Sequence, residues 1–517
     1  MFNLNVLNYL LINILFISLF ILTFYKNKVN FNNFFIISLI YLPLFFLNFL
    51  IIFFFKSKDF YLDYNIKFYF KPIYINIFSI KITNLENYFI LVITLISFFS
   101  NLLSFFYLND DKKKKKFFIF LNFFTMSMIL FIIQNCIFLF IISWELLGLT
   151  SFFLINHYEN TKSLKSSMSA FLFNKISDIP IFIISFVFLI NNCQKIQYNY
   201  LDLKTNSVIC FCLVMSSFLK SAIFFFKWLP DSMEAPLPAS ALIHSATLVS
   251  AGIFLNLKYH FFFKNLKLLC FLQLTTIIIA VFFSLIASYQ TDIKKILAYS
   301  TIANCSFIYN LIFSKNLKLA LIYFSLHGIF KSLVFIIFGY SIIIYKHKQD
   351  MRCWNNIFNK NNKIIFLSLI PLSCLASMQI TPVYFFKSFF LQNFFYNKFF
   401  FFLNLTFYYL YSIISLSYFL KIFKIIFLKK NVTKSNFIKT DIDYINNLNL
   451  SSIILYSLIS FIFIYFLQDY NNFNLKPYSN YLILVYFLPF FLLNNIKIFK
   501  KNILVPIFII FITSFFF

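Results

Sequence analysis

Sixteen apolar stretches, most of them long enough to cross a bilayer, follow one another along the chain with only short breaks of Lys, Asn, Asp and Pro between them. A spanning helix uses about 20 residues. The stretches lie near residues 8–25, 33–55, 84–108, 117–133, 135–156, 166–190, 207–226, 236–259, 268–289, 296–313, 319–345, 364–390, 399–428, 449–467, 480–494 and 502–517, the last two being short. Little is left over for a water-soluble domain. With 61% of its residues hydrophobic and 12% charged, the chain also stands apart from soluble domains, which run near 45–50% apolar and about 25% charged. The expected fold is all-α, a polytopic transmembrane helical bundle of about 14–16 spans.

The formal net charge of +28 sits in the breaks, which argues for the positive-inside rule and against nucleic acid as a partner. With loops numbered in order, the odd ones hold 26 of the 44 Lys and Arg, the even ones 14, and four lysines fall inside spans. That bias puts the odd loops, including Lys112 to Lys116, on the cytoplasmic or matrix-equivalent side. Between the second and third spans, the alternation around Lys71-Pro72 predicts a surface hairpin over residues 63–77.

Several function classes are excluded by composition. The four glycines, Gly148, Gly252, Gly328 and Gly339, are too scattered for a phosphate-binding glycine loop. The eight cysteines contain no CxxC pair, so neither a zinc site nor an iron–sulfur cluster is expected. Abundant Phe, Tyr, Ile, Asn and Lys are the residues of A/T-rich codons, a bias frequent in organellar genomes. The first apolar run is span-length and has no cleavage motif, so no removable signal is expected.

The informative residues are ionisable ones where hydrocarbon should be. A charge at the bilayer centre costs at least about 2.5–3.5 kcal/mol, and such groups are functional candidates by default. Glu145 lies midway along its span. Asp178 follows Lys175 by one helical turn, so the two share a face. Lys220 lies deep in its span, ten residues before Pro230. His327 and Lys331 are spaced i, i+4 and also share a face. Lys387 follows Pro382 inside an apolar run, so a deep lysine near a helix break occurs in both halves and points to internal repeats with a midplane site. Each group has a plainer reading: a charge pair holding two helices in register for Glu145 or Asp178, a packing histidine for His244, snorkelling for Lys387. Glu234 reads as a helix-start carboxylate. Asp292, Lys294 and Lys295 read as a cap and two interfacial lysines at a span entrance.

Together these groups permit proton transfer. Bringing a carboxylate to about 4 Å from an ammonium gains about 4 kcal/mol at an effective dielectric near 20. Moving one charge against 100 mV costs about 2.3 kcal/mol, so making and breaking such a pair can load and eject a proton. Nothing in the chain supplies redox or nucleotide energy, so the drive is expected from a partner.

Trp144-Glu145-Leu146-Leu147-Gly148-Leu149-Thr150-Ser151-Phe152, Asn174-Lys175-Ile176-Ser177-Asp178, Trp228-Leu229-Pro230-Asp231-Ser232-Met233-Glu234-Ala235-Pro236, Ser240-Ala241-Leu242-Ile243-His244, the run from Asp292 to Thr301, and His327-Gly328-Ile329-Phe330-Lys331 resemble the antiporter-like membrane subunits of respiratory complex I. The Met-Glu-x-Pro-x-Pro pattern resembles the chain 5 branch rather than chains 2 or 4. The resemblance covers residues 60–390. It implies two inverted five-helix repeats, at 117–259 and 266–428, between N-terminal spans with a hairpin (1–116) and C-terminal spans (449–517). Broken helices are implied at the seventh and twelfth spans. It also implies that Glu145 and Lys220 form a coupled pair with Asp178 as a modulator, that His244, His327 and Lys331 form a central axis, and that Lys387 is the terminal exchange group. The implied setting is the mitochondrial inner membrane, beside other complex I membrane-arm subunits, especially another antiporter-like chain. No cofactor is implied in this chain; NADH, FMN, iron–sulfur clusters and ubiquinone are expected in partner subunits. The sequence departs from the family at Ser388, where an acidic residue is usual, and at Tyr384, where a glycine is usual. The family's lateral helix has no counterpart here, and is expected to be short, lost or supplied by another polypeptide. A cation/proton antiporter, a stand-alone transporter and a membrane scaffold remain open at this point.

Overall fold

The computed structural model describes residues 66–70, 73–78, 83–108, 111–190, 203–245, 247–263, 269–344, 349–353, 371–375, 383 and 398–423. The stretches near 8–25, 33–55, 449–467, 480–494 and 502–517, most of 364–390, and Lys387 itself lie outside the described residues.

Strands β1 (Ile66–Phe70) and β2 (Ile73–Phe78) pair antiparallel, with Phe70 opposite Ile73 and Phe68 opposite Ile75. The alternating pattern is thus a hairpin. Pro72, which has no N–H to give a ladder, falls between the strands.

Twelve helices follow among the described residues. They are α1 (Asn84–Tyr107), α2 (Lys114–Ile133), α3 (Ile137–Ile155), α4 (Thr161–Ile190), α5 (Leu203–Lys220), the single turn α6 (Trp228–Asp231), α7 (Leu237–Ser245), α8 (Leu248–Lys258), α9 (Leu269–Tyr289), α10 (Ile293–Phe313), α11 (Leu317–Ile344) and α12 (Lys398–Phe423). Nine stretches of this helical structure are long and apolar enough to cross a membrane. The chain is a multi-pass membrane protein. The fourth and fifth apolar stretches, continuous in hydropathy, are separated at Gln134 and Cys136, both in extended backbone.

Two spans are broken among the described residues. Helix α5 stops at Lys220, where the Ile223 N–H reaches back to Phe218 O (2.9 Å) and Ala222 takes a left-handed φ of 59°. Phe225 is also left-handed, at 53°. A side-chain-bearing residue in this region costs of order 1 kcal/mol, so packing, not local preference, imposes the break. The eighth span, which reads as continuous, also breaks, between α7 and α8. The Thr247 hydroxyl donates to Leu242 O (2.9 Å) there, occupying a carbonyl at the interrupted end of α7.

Helices α1, α7, α8, α10 and α11 are buried almost all round, as expected of helices that are apolar on every face. By contrast, α4, α9 and α12 turn Leu172, Phe186, Phe271 and Ile413 outward, each more than 60% exposed. Water would penalise such a belt, whereas lipid tails do not. The core helices meet at close quarters. A Cβ on Gly252 of α8 would stand 2.6 Å from Ser217 O and 2.7 Å from the Tyr309 hydroxyl.

Contacts between chain connections agree with the charge-derived topology. On the odd side Lys113 pairs with Glu159, and Asp111 with His157 (2.9 Å). Lys294 reaches Met233 O (2.9 Å), and the Ile293 N–H reaches Gln349 O (3.2 Å). On the even side Lys258 pairs with Glu86 (3.5 Å), and the Cys210 thiol donates to Phe262 O (2.9 Å). Each joins connections of one parity.

The odd-side tie is sensitive to acid. Burial alone pushes the Asp111 carboxyl up, but the Lys113 backbone N–H (3.0 Å) and the His157 ring outweigh it and hold the group below the usual carboxylate range. The folded state thus prefers the ionised acid, and the tie contributes above the unfolded value of about 3.9 and is lost as pH falls through the folded value. Protection of the amides of residues 155–160, taken relative to the intrinsic exchange rate at each pH, is expected to fall on acidification below about pH 4, and Asp111→Asn to weaken that step; an unchanged pH profile in the variant contradicts the assignment. Separately, Gly252→Ala is expected to destabilise the bundle by about 1–3 kcal/mol through overpacking, measured as a lower melting temperature in detergent.

Candidate functional site

The deepest cation in the first half is Lys220, the last residue of α5. Its ammonium is fully buried, donates to Trp144 O at 3.3 Å, and lies 4.5 Å from the centre of the Trp144 ring. Helix α3 presents that surface because Gly148 has no side chain. A Cβ there would stand 3.8 Å from Lys220 Nζ and 3.5 Å from Asn174 Cβ of α4. A cation held by a carbonyl and an aromatic face is stabilised without an adjacent counter-ion.

Glu145 is not that counter-ion. One residue after Trp144, it is rotated about 100° around α3, toward α4. There it pairs with Lys175 (3.5 Å), and Lys175 in turn pairs with Asp178 (3.3 Å). Among the described residues no ion pair within 4 Å joins Glu145 to Lys220, so any coupling between the two implied by resemblance acts across Lys175 and Asp178 and not by contact. The i, i+3 spacing did foretell the Lys175–Asp178 contact. Glu145 and Lys175 are about one-third and two-fifths exposed, whereas Asp178 is buried. The arrangement runs from the bundle surface inward: Glu145, Lys175, Asp178, then Lys220, which feels the field of all three. Pro180, two residues past Asp178, leaves the Ile176 carbonyl without its helical donor.

His244 on α7 is fully buried, stacked on Phe335. Its Nε2 lies 3.2 Å from the Ser232 hydroxyl, which itself donates to Leu229 O at 2.6 Å. With the Ser232 proton directed at Leu229 O, a proton on Nε2 completes this contact, and Nδ1 is buried with no hydrogen-bond partner. Lys331 on α11 is fully buried and donates to Ser300 Oγ of α10. One turn before it, His327 is buried with Nε2 unpartnered. His244 lies within the field of both Lys331 and Lys294. The amide of Asn174 is unpartnered at both atoms, and so is the Trp144 indole N–H. Buried polar atoms of this kind are normally satisfied by water.

Lys294 was misread from sequence as interfacial. Lys294 and Lys295 are neighbours, so about 100° separates them around α10, and only one can face outward. Lys295 does, and pairs with Asp292 (3.3 Å). Lys294 is buried and donates to Met233 O (2.9 Å) and Ala235 O (3.2 Å), at the turn that leads into α7. The adjacency of two lysines at the start of an apolar helix was the signal. Glu234 is exposed in the 3₁₀ turn before α7, consistent with a helix-start carboxylate. Among the described residues, no three His, Cys, Asp or Glu side chains converge as a metal site.

A family model described as the transmembrane region of NADH:quinone oxidoreductase/Mrp antiporters matches residues 134–415, more than half of the chain. The chain belongs to this family. The match takes in Glu145, Lys175, Asp178, Lys220, His244, His327, Lys331 and Lys387, and leaves the hairpin and α1 outside. The chain is 36% identical over 327 residues to NADH-ubiquinone oxidoreductase chain 5 of Paramecium tetraurelia, covering 59% of this chain and 57% of that one. It is 29% identical over 308 residues to the chain 5 protein of Caenorhabditis elegans, covering 59% and 58%. It is 34% identical over 255 residues to NADH-quinone oxidoreductase subunit L of Buchnera aphidicola, covering 46% and 40%. The chain thus spans about half the length of the curated relatives it matches. A chain of the membrane-bound sulfane sulfur reductase, an archaeal respiratory membrane complex, shares the fold with a TM-score of 0.74 at 17% identity, over 90% of this chain and 96% of that one.

The glycine window on α3 is testable in this family member. Gly148→Ala places its methyl at ordinary contact distance and is expected to be tolerated. Gly148→Leu is expected to push the Lys220 ammonium off Trp144, lowering stability by about 1–3 kcal/mol. Thermal unfolding in detergent separates the two, and equal effects would contradict the assignment.

Proposed function

We propose that the chain is a proton-translocating membrane subunit of a respiratory NADH:ubiquinone oxidoreductase, complex I, of the mitochondrial inner membrane. Protons pass laterally among Lys220, His244, His327 and Lys331, with Lys387 as the terminal exchange group. Glu145 acts on Lys220 through Lys175 and Asp178, so a shift of α3 against α4 changes the charge next to the buried lysine without direct contact. Lys294 anchors the turn beneath His244. NADH, FMN, iron–sulfur clusters and ubiquinone belong to partner subunits in this reading, and the chain docks against other membrane-arm subunits, another antiporter-like chain among them.

One observation carries the reading: Lys220, His244 and Lys331 are wholly enclosed by protein in a chain whose other described charges lie mostly at helix ends and connections. A bundle needing only stability gains little from buried, incompletely paired bases, because each imposes a desolvation cost that hydrophobic residues do not. Membership of the family and the names borne by the relatives support the same conclusion.

With the whole complex in proteoliposomes, Lys220→Met is expected to assemble and oxidise NADH but to lose proton pumping, and Glu145→Gln to lower it. Pumping at the unmodified ratio in Lys220→Met refutes the axis. Proton movement driven by a sodium gradient without NADH would mark a cation/proton antiporter instead.

A further inference from the structure

Helices α2 to α4 and α9 to α11 keep one register. Ile133 and Tyr289 end α2 and α9, Ile137 and Ile293 begin α3 and α10, and Thr161 and Leu317 begin α4 and α11. Each pair stands 156 residues apart. Under the same shift Lys175 falls on Lys331 and Trp144 on Ser300, the latter two carrying the oxygens that hold Lys220 and Lys331.

Two lysines the proton path does not use obey this register through their partners. Lys258, the last residue of α8, donates to Ile132 O (3.1 Å) and Gln134 O (2.6 Å). Lys421, near the end of α12, donates to Ser288 O (2.8 Å) and Gln290 O (2.6 Å). Ile132 and Ser288 are corresponding positions, as are Gln134 and Gln290. In both cases an ammonium from one helix takes the penultimate and the cap carbonyl of another helix's C-terminus, where backbone acceptors are unsatisfied and the dipole is negative. The charge-derived topology puts the 134–136 connection on the even side and 290–292 on the odd side, so the two contacts sit on opposite membrane faces, as an inverted repeat requires.

We propose that Lys258 and Lys421 are equivalent positioning residues, each closing one five-helix repeat by strapping its last helix to the joint after its first. The joints matter because of what they hold. Helix α3 begins just past Gln134 and carries Trp144, Glu145 and Gly148. Helix α10 begins just past Gln290 and carries Lys294 and Ser300. The straps set the height of α3 and α10 relative to the buried lysines they hold, while α8 continues the broken span that carries His244. The first strap is braced by Glu86 (3.5 Å) from α1. The second is more exposed, its lysine being only partly buried, and lies near Arg352, which pairs with Asp350.

The effect on pumping rests on the proton-translocating reading above; the strap itself does not. Lys258→Met, Lys421→Met and the corresponding Arg variants are compared in the whole complex by two readouts. One is amide exchange at residues 134–137 and 290–293, and the other is protons pumped per NADH oxidised. Each Met variant is expected to speed exchange about tenfold at its own joint and not at the other, and to lower the pumping ratio to about half while NADH oxidation continues. Arg, which keeps the charge and donors, is expected to restore both. Exchange unchanged in Lys421→Met, whose ammonium is only partly buried and whose loss the fold tolerates more easily, overturns the proposal. So does failure of Arg to rescue, or faster exchange with an unchanged pumping ratio. If Lys220→Met also pumps normally, the proton reading falls, and the exchange data alone still decide the strap.

Discussion

A buried ammonium needs oxygen atoms, and in a membrane the protein must supply them. This requirement organises the molecule. Lys220 is met by the backbone of α3, where Gly148 leaves room for the ammonium. Lys331 is met by the Ser300 hydroxyl and Lys294 by two carbonyls before α7. Where helices break, the exposed carbonyls are taken by hydroxyls or by lysines from neighbouring helices. The breaks, the glycine window and the capping lysines thus answer one constraint, which is that buried charge and exposed backbone here find partners among protein oxygens and donors.

This explains why the positions of most spans were legible in the sequence while the pairings were not. Hydropathy locates helices because hydrocarbon tolerates little else, and every described helix of span length falls within a few residues of an apolar stretch. The i, i+3 relation of Lys175 to Asp178 was readable because it is local. The partner of Glu145 was not. It depends on which face of α3 turns toward α4, a property of tertiary packing that a wholly apolar helix does not encode, since every face satisfies the same pattern. The eighth span's break was hidden for a related reason. It has neither glycine nor proline at Thr247, and its freed carbonyl is occupied by a residue that also suits helix interiors.

The odd-side and even-side ties show a second level of organisation. Asp111, His157, Lys113 and Glu159 join two connections outside the apolar layer, and Lys258 with Glu86 does so on the other face. Because such contacts join loops of one parity, the distribution of lysines along the chain and the three-dimensional pairing are independent accounts of the same topology. A miscounted span between residues 84 and 353 would have set them at odds.

The register of 156 residues exposes an asymmetry of charge. Lys175 and Lys331 correspond, yet their surroundings differ. The position matching Glu145 is Thr301, and that matching Asp178 is Val334. Lys175 therefore sits half-exposed between two carboxylates, while Lys331 is fully enclosed with a hydroxyl. The same residue type is thus a doubly paired, partly exposed cation in one half and an enclosed one in the other. Two carboxylates share the charge of Lys175, whereas Lys331 has one hydroxyl oxygen within hydrogen-bond distance. A lysine thus stands at both corresponding positions but carboxylates flank it at only one, so three helices that share a register in the two halves differ in the charge they enclose.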